Sequence, residues 1–157
     1  MNKLGRQRYA RRLILATSDI LQATRACELL LQNVKSKSDP LFVPLLTAIV
    51  VMYARPFVSN NRFGPLTGKW HEFTDPKFKQ IHDTLIDLRH IVYAHSDPQG
   101  RAVVVQIEDT PLYKMISEVT VVSQSLTMEI FPTVLATCQD LFQRLQLAAL
   151  EEQDCLA

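Results

Sequence analysis

The sequence predicts a mainly α-helical protein built as a single domain. Apolar residues alternate at spacings of four and three over the first 35 residues, and this is the spacing of one face of an α-helix. The 157 residues are 47% hydrophobic, and only 4 glycines leave little room for a linker between domains. We therefore expect one domain over residues 1–157, a four-helix bundle with a long loop and a short β-strand or hairpin insert before the last helix.

The first two helices follow from the apolar pattern and from proline. The first is expected over about residues 6 to 35. Its apolar seam is Tyr9, Leu13, Ala16, Ile20, Ala23, Cys27, Leu30 and Val34. A polar break at 35–39 precedes the second helix, where Pro40 or Pro44 can occupy the first turn because the missing N–H of proline costs little there. The second helix is expected to end near Pro56.

Residues 57–74 contain asparagine, glycine and proline and predict a long irregular loop. The loop interleaves the aromatic residues Phe57, Phe63, Trp70 and Phe73 with Arg62, Lys69 and His71. This mixture could stack a base and hold a phosphate, or it could plug the loop onto the core, which we favour. The candidate RNA-binding residues are Arg55, Arg62, Lys69 and Trp70. Arg55 could instead cap the second helix electrostatically.

The remaining elements are predicted from helix-start signals and β-branched residues. The third helix should begin at Thr74 or Asp75, because Pro76 follows, and should run to the turn at 96–100. Valine and isoleucine at 102–107 predict a strand, with a return strand within 113–121. The last helix is expected somewhere from Ser123 to Leu150. Pro132 would kink it unless it begins later, since proline removes a backbone hydrogen bond.

Charge and cysteine content narrow the class of protein. A net charge of +1 does not indicate a nucleic-acid binder, but the first twelve residues carry five cations and no anion. These cations could form a basic face or a solvated helix end, and we favour the helix end. Cys27, Cys138 and Cys155 show no CxxC spacing and predict neither disulfides nor a zinc site. A cytoplasmic protein without signal peptide or membrane span is expected.

The residues most suggestive of chemistry are Arg89, His90 and His95, at the end of the predicted third helix. An arginine can hold a phosphate and a histidine titrates near neutrality, so together they can act on a phosphodiester without metal. His95 also continues the apolar stripe through Leu85, which is typical of a packed histidine. On a straight helix Arg89 and His95 lie about 120° apart. A second subunit or a frayed helix end would be needed to bring them together.

A metal centre is not predicted. His82, His90 and His95 are spaced by eight and five residues, whereas a spacing of four aligns two ligands on one helix face, and no carboxylate completes an HExxH motif. We expect neither a metal nor another cofactor.

Together these residues resemble the HEPN superfamily of helical-bundle domains, especially its abortive-infection-related bacterial branch. That pattern has an arginine, then a polar residue, and a histidine after four to six intervening residues, as Arg89, His90 and His95 do here. The segments 53–57 and 94–97 also look like that branch. The resemblance implies a metal-independent endoribonuclease that acts as a toxin or in phage defence. The alternative is a non-catalytic HEPN-like module that binds RNA or a protein.

The resemblance also implies roles for these residues. A ribose 2′-hydroxyl would attack its own phosphate, leaving a 2′,3′-cyclic phosphate and a 5′-hydroxyl. His95 would move the proton, Arg89 would hold the phosphate oxygens, and His90 would orient them or face solvent. HEPN nucleases pair two motifs across a dimer, so the expected partners are RNA, a second copy in a symmetric homodimer, and an antitoxin or other protein. No tyrosine lies two residues after His95, so the subtype controlled by adenylylation of such a tyrosine is not supported.

Overall fold

The computed structural model describes residues 3–58, 63–90, 101–109, 114–123 and 126–154, with only the backbone described for Lys3, 101–109, 114–123 and Asp154. Over these residues the protein is mainly α-helical, as the sequence predicts. The elements are α1 (Lys3–Asn33), α2 (Phe42–Ala54), α3 (Pro76–Leu88), β1 (Arg101–Asp109), β2 (Lys114–Ser123) and α4 (Phe131–Asp154). Short 3-10 turns cover Arg55–Phe57, Gly68–His71 and Met128–Ile130.

Helix α1 is the long element on which α2 and α4 pack. Its predicted seam is buried from Leu13 to Val34, while Tyr9 is half-buried. The Cys27 thiol donates to the carbonyl oxygen of Phe131 at 3.5 Å, so the carboxyl half of α1 lies beside the start of α4. Near its other end, Ile14 shares a shallow groove with Leu150, so the two helices are antiparallel.

Two cysteines, Cys27 and Cys138, are buried in this interface as free thiols. Burial raises the pKa of Cys27 to about 12 and the pKa of Cys138 well above its ordinary value, because desolvation disfavours a thiolate. Both therefore act as small core residues.

Helix α2 contains Pro44 in its first turn, one of the two positions that the sequence allows. It ends at Ala54, and the N–H of Arg55, its C-cap residue, donates to the carbonyl oxygen of Val51. Phe42 at its start meets Phe131 of α4 edge to face, with ring centroids 6.1 Å apart. Helix α2 packs mainly on α1 and meets α4 through this ring pair.

Helix α3 begins where the sequence predicts. Asp75 is its N-cap, and its carboxylate accepts from the N–H of Lys77 at 2.8 Å, while Pro76 occupies the first helical position. The α-helix is described as far as Leu88, and the C-cap N–H of Arg89 donates to the carbonyl oxygens of Leu85 and Ile86. The rest of the predicted third helix, residues 91–100, lies outside the described residues.

Strands β1 and β2 form an antiparallel pair. Arg101 pairs with Ser123 and Asp109 with Lys114, and the register shifts between Gln106 and Ile107, where a β-bulge interrupts the ladder. The sequence predicts these strands at 102–107 and within 113–121.

The start of the last helix differs from the sequence prediction. Strand β2 extends to Ser123, a 3-10 turn follows at Met128–Ile130, and α4 begins at Phe131. Pro132 is thus the second residue of α4, where its missing N–H has no intrahelical partner to lose, so the conditional kink is not required. The helix continues four residues past Leu150, to Asp154.

One hydrophobic core cluster joins α1, α2, α3, α4 and the loop between α2 and α3. Tyr53 and Phe131 are its largest fully buried side chains, and the loop contributes Leu66 and Trp70. Among the described helices, none has the length and apolar character needed to cross a membrane.

Replacing Asp75 with alanine is expected to lower the free energy of unfolding by about 1 kcal/mol, because the Lys77 N–H at the start of α3 loses its acceptor. Urea unfolding measures the change. Asp75→Asn is the matched control, since asparagine caps about as well as aspartate. An equal loss in both variants would show that the charge, and not the hydrogen bond, carries the effect.

Candidate functional site

Arg89, the candidate phosphate-binding residue, lies at the carboxyl end of α3. It is half-buried and follows His82 and Leu85 along the core-facing stripe at spacings of three and four. Its guanidinium makes no hydrogen bond or ion pair with any other described residue. The structure therefore holds a cation at a helix carboxyl end, where the helix dipole favours positive charge.

Of the two other residues of the motif, the structure describes one. His90 is exposed, as its solvent-facing interpretation expects. His95 lies outside the described residues, and so does Arg62. The distance between Arg89 and His95, and with it the geometry of the motif, stays a matter of prediction.

Arg55 forms an ion pair across the bundle. Its guanidinium lies 3.1 Å from the carboxylate of Asp19 on α1. Desolvation raises the pKa of Asp19, and the charge of Arg55 acts in the opposite direction. Arg55 is also the C-cap residue of α2, so its position agrees with the capping interpretation.

Trp70 requires a correction, because it cannot stack a base from its place in the structure. Its ring is 3% exposed, and its indole N–H donates to the hydroxyl of Tyr9 at 3.2 Å. It plugs the loop onto α1, which is the interpretation that the sequence favours for these aromatics. Lys69 beside it is exposed, with its ammonium 5.1 Å from the centre of the Trp70 ring.

Arg144 of α4, which sequence reasoning did not single out, fastens the same loop. Its guanidinium donates to the carbonyl oxygen of Lys69 at 2.6 Å and to Asp140 at 3.3 Å. It also lies over the ring of Phe73, 5.0 Å from the centre. A cavity of about 400 Å³ opens beside these groups, and its charged lining is balanced: Lys69, Arg144, Glu72 and Asp140.

A chain of three hydrogen bonds joins α2, α3 and the loop. The hydroxyl of Tyr53 lies 3.0 Å from Nδ1 of His82, Nε2 of His82 lies 3.0 Å from Nδ1 of His71, and Nε2 of His71 lies 3.0 Å from the carbonyl oxygen of Leu66. Tyr53 and His82 are fully buried. Sequence reasoning placed His71 among the loop residues that could hold a phosphate or plug the loop onto the core, and considered His82 only as a metal ligand.

The direction of these hydrogen bonds follows from the carbonyl at one end. Since the oxygen of Leu66 only accepts, Nε2 of His71 carries a proton, and in neutral His71 Nδ1 must then accept. His82 accordingly donates from Nε2, accepts at Nδ1, and receives the Tyr53 proton there. Both imidazoles are therefore satisfied as neutral rings.

Burial favours the neutral form of His82. Desolvation first and then the nearby His71 lower the pKa of His82 to about 4. The rings of Phe57 and Phe73 pack on the imidazole, with centroids 4.7 and 5.1 Å away. A proton on His82 would enter an apolar site and break the chain of hydrogen bonds.

These histidines position the functional candidate rather than perform chemistry themselves. His82 is two helical turns before Arg89 on the same face of α3, so the Tyr53 contact fixes the rotation of the helix that presents Arg89. The one available sequence signal was the spacing of His82, Leu85 and Arg89. Among the described residues, no group of three His, Cys, Asp or Glu side chains could hold a metal ion.

Comparison with known proteins gives no match: no family model, no curated protein and no solved structure is similar to this chain.

Lowering the pH from 7 to 5 is expected to cost about 2 kcal/mol of unfolding free energy through His82. Its pKa is about 4 in the folded protein against an ordinary value of 6.5, so the unfolded chain binds more protons in this window. The stability is complete above pH 6.5 and is lost as the pH falls towards 4. Urea unfolding at a series of pH values measures this slope.

The matched variant for this measurement is His82→Gln. Its amide can still donate to His71 but does not titrate, so its stability should depend less steeply on pH between 7 and 5. Identical slopes for the two proteins would contradict the assignment to His82.

Proposed function

We propose that the protein is a HEPN-like, metal-independent endoribonuclease of the cytoplasm that cleaves RNA by 2′-hydroxyl attack and serves as a toxin or phage-defence effector. The observation that carries the proposal is Arg89. It is a half-buried residue at the end of a bundle helix, and its guanidinium has no hydrogen bond or ion pair to another described residue.

A guanidinium presents five N–H donors in a planar fork that matches paired acceptor oxygens. The guanidinium groups of Arg55 and Arg144 have carboxylate or carbonyl partners in this fold, whereas that of Arg89 has none among the described residues. A phosphodiester supplies two oxygens that match the planar fork of arginine. Arg89 is thus suited to bind a phosphate and to stabilise the charge that grows in the transition state.

His95 is the proposed proton carrier. With an ordinary pKa of about 6.5, a histidine can remove the proton of the ribose 2′-hydroxyl or give one to the leaving 5′-oxygen at neutral pH. The bond from phosphorus to the 2′-oxygen forms as the bond to the 5′-oxygen breaks. The products are a 2′,3′-cyclic phosphate and a 5′-hydroxyl, while His90 helps to orient Arg89 or the phosphate.

A symmetric homodimer belongs to the proposal. If α3 continued straight, Arg89 and His95 would diverge by about 120°, so an arginine and a histidine from two copies would converge more readily than the pair within one. An antitoxin or other partner protein would then act on this dimer.

The second candidate is a non-catalytic module that binds RNA or a protein. It is favoured by apolar side chains exposed on α1 and α4, of which Ile14 and Leu150 line a shallow groove of about 190 Å³. In that case Arg89 and His95 would contribute to stability or assembly rather than to cleavage.

Cleavage of 5′-labelled RNA in EDTA tests the proposal. The wild-type protein is expected to give 2′,3′-cyclic ends, and His95→Ala and Arg89→Ala are expected to lose at least about 100-fold in rate. Arg89→Lys should also be impaired, because an ammonium lacks the bidentate fork. RNA with a 2′-deoxy group at the cut site should resist cleavage.

Arg25→Ala provides the matched control, since Arg25 is an exposed arginine on α1 far along the helix from its start. The comparison uses only variants whose unfolding free energy and oligomeric state equal those of the wild-type protein. Failure of the folded wild-type dimer to cleave several RNAs, or equal cleavage by His95→Ala, would contradict the nuclease. Loss of stability or dimerisation in Arg89→Ala without any wild-type cleavage would support the binding module.

A further inference from the structure

A groove of about 450 Å³ lies between the first turns of α1 and the loop after α2. Its lining is Leu4, Gln7, Arg8, Arg11 and Phe63. Arg8 and Arg11 are three residues apart on one helix face, and both are exposed. Among the described residues, the lining contains two cations, one amide, one aromatic ring and one leucine but no carboxylate.

The two arginines are not neutralised within the part of the chain that the structure describes. Neither guanidinium forms a hydrogen bond or an ion pair with another described residue. The first turn of α1 has no acidic residue to offset their charge. The positive field of these cations attracts an anion.

A third arginine adds to this field. Arg12, one turn after Arg8, has Nε and one Nη atom buried without a hydrogen-bond partner. Its charge is therefore poorly screened by water at this point of α1. An anion in the groove would offset three positive charges at once.

We propose that this groove binds a nucleotide unit of single-stranded RNA, with the phosphate held by Arg8 and Arg11 and the base stacked on Phe63. The volume lies within the range of small-molecule sites. A basic groove with an aromatic ring is the combination that binds single strands without base specificity. The choice of RNA, rather than a free nucleotide, rests on the proposed nuclease function.

The groove is distinct from the Arg89 site. Helix α3 begins just after the residues that contact Tyr9 and Arg144, so it starts at the same end of the bundle as α1. Arg89 follows Pro76 by thirteen residues, which is about 20 Å of helix. A single strand of RNA several nucleotides long could occupy the groove and the Arg89 site together. The groove would then hold RNA away from the bond to be cut.

Fluorescence anisotropy with a labelled oligouridylate of about 12 nucleotides tests the inference. The probe carries 2′-O-methyl groups, so that it cannot be cleaved and binding is measured independently of catalysis. For R8Q/R11Q we expect weaker binding and a salt dependence that is shallower by about 0.7 in the slope of log K against log salt, since the contact with one phosphate is lost. Phe63→Leu should weaken binding about tenfold and leave that slope unchanged.

The matched control is R25Q/K35Q, which removes the same charge from exposed positions nearer the other end of α1. Equal affinity and equal salt slope for R8Q/R11Q and R25Q/K35Q would overturn the inference, as would the absence of binding by the wild type. If uridine monophosphate competes as well as the oligomer at equal nucleotide concentration, RNA is excluded as the preferred ligand of the groove. The ligand is then a free nucleotide.

The two proposals can fail separately. Wild-type protein that binds the oligomer through Arg8 and Arg11 but cleaves no RNA would uphold the groove and contradict the nuclease. Cleavage that requires Arg89 while R8Q/R11Q binds like its control would do the reverse. Circular dichroism of each variant verifies its fold, and Phe63→Leu, which changes no charge, provides a second test of the same groove.

Discussion

The chain of hydrogen bonds from Tyr53 through His82 and His71 to Leu66 is the constraint on which the arrangement around α3 depends. It connects two helices and the loop between them through the fully buried Tyr53 and His82 and the half-buried His71. Because every donor and acceptor in it is used only while both rings are neutral, the three segments have one satisfied arrangement. A shift of the loop by one residue would leave a buried imidazole nitrogen without a partner.

The loop is consequently part of the core rather than a covering. Leu66 and Trp70 fill space against the helices, and Arg144 fastens the backbone of Lys69 from the opposite side. The backbone N–H of Leu66 also donates to the carbonyl oxygen of Pro56 at 2.7 Å. The described part of the loop between α2 and α3 has little regular structure. Its contacts nevertheless orient α3 and, through it, Arg89.

Sequence patterns predicted the helices where local rules decide. The seam of α1 and the start of α3 at Asp75 and Pro76 follow from periodicity and capping, which do not depend on distant contacts. The start of α4 was placed too early, because the segment after β2 carries no strong cap signal. Its position instead reflects Phe131, which packs on Phe42 of α2.

The candidate site was predictable in part. The Arg89 motif can be read as a short sequence pattern, but the partners of His71, His82 and Arg144 are residues brought close only by folding. Tyr53 and His82 are 29 residues apart, and Arg144 and Lys69 are 75 apart. Trp70 shows the opposite limit, since an aromatic residue beside a cation has the same sequence pattern whether the ring is exposed or buried.

The reactivity of the two buried thiols in the α1–α4 interface reports whether these two helices are packed together. Cys27 and Cys138 cannot react while the helices are packed, because burial both blocks access and keeps each sulfur protonated. Their reaction with an alkylating reagent would therefore count only molecules in which α1 and α4 have separated. The rate of that labelling would measure how fast the two longest helices separate.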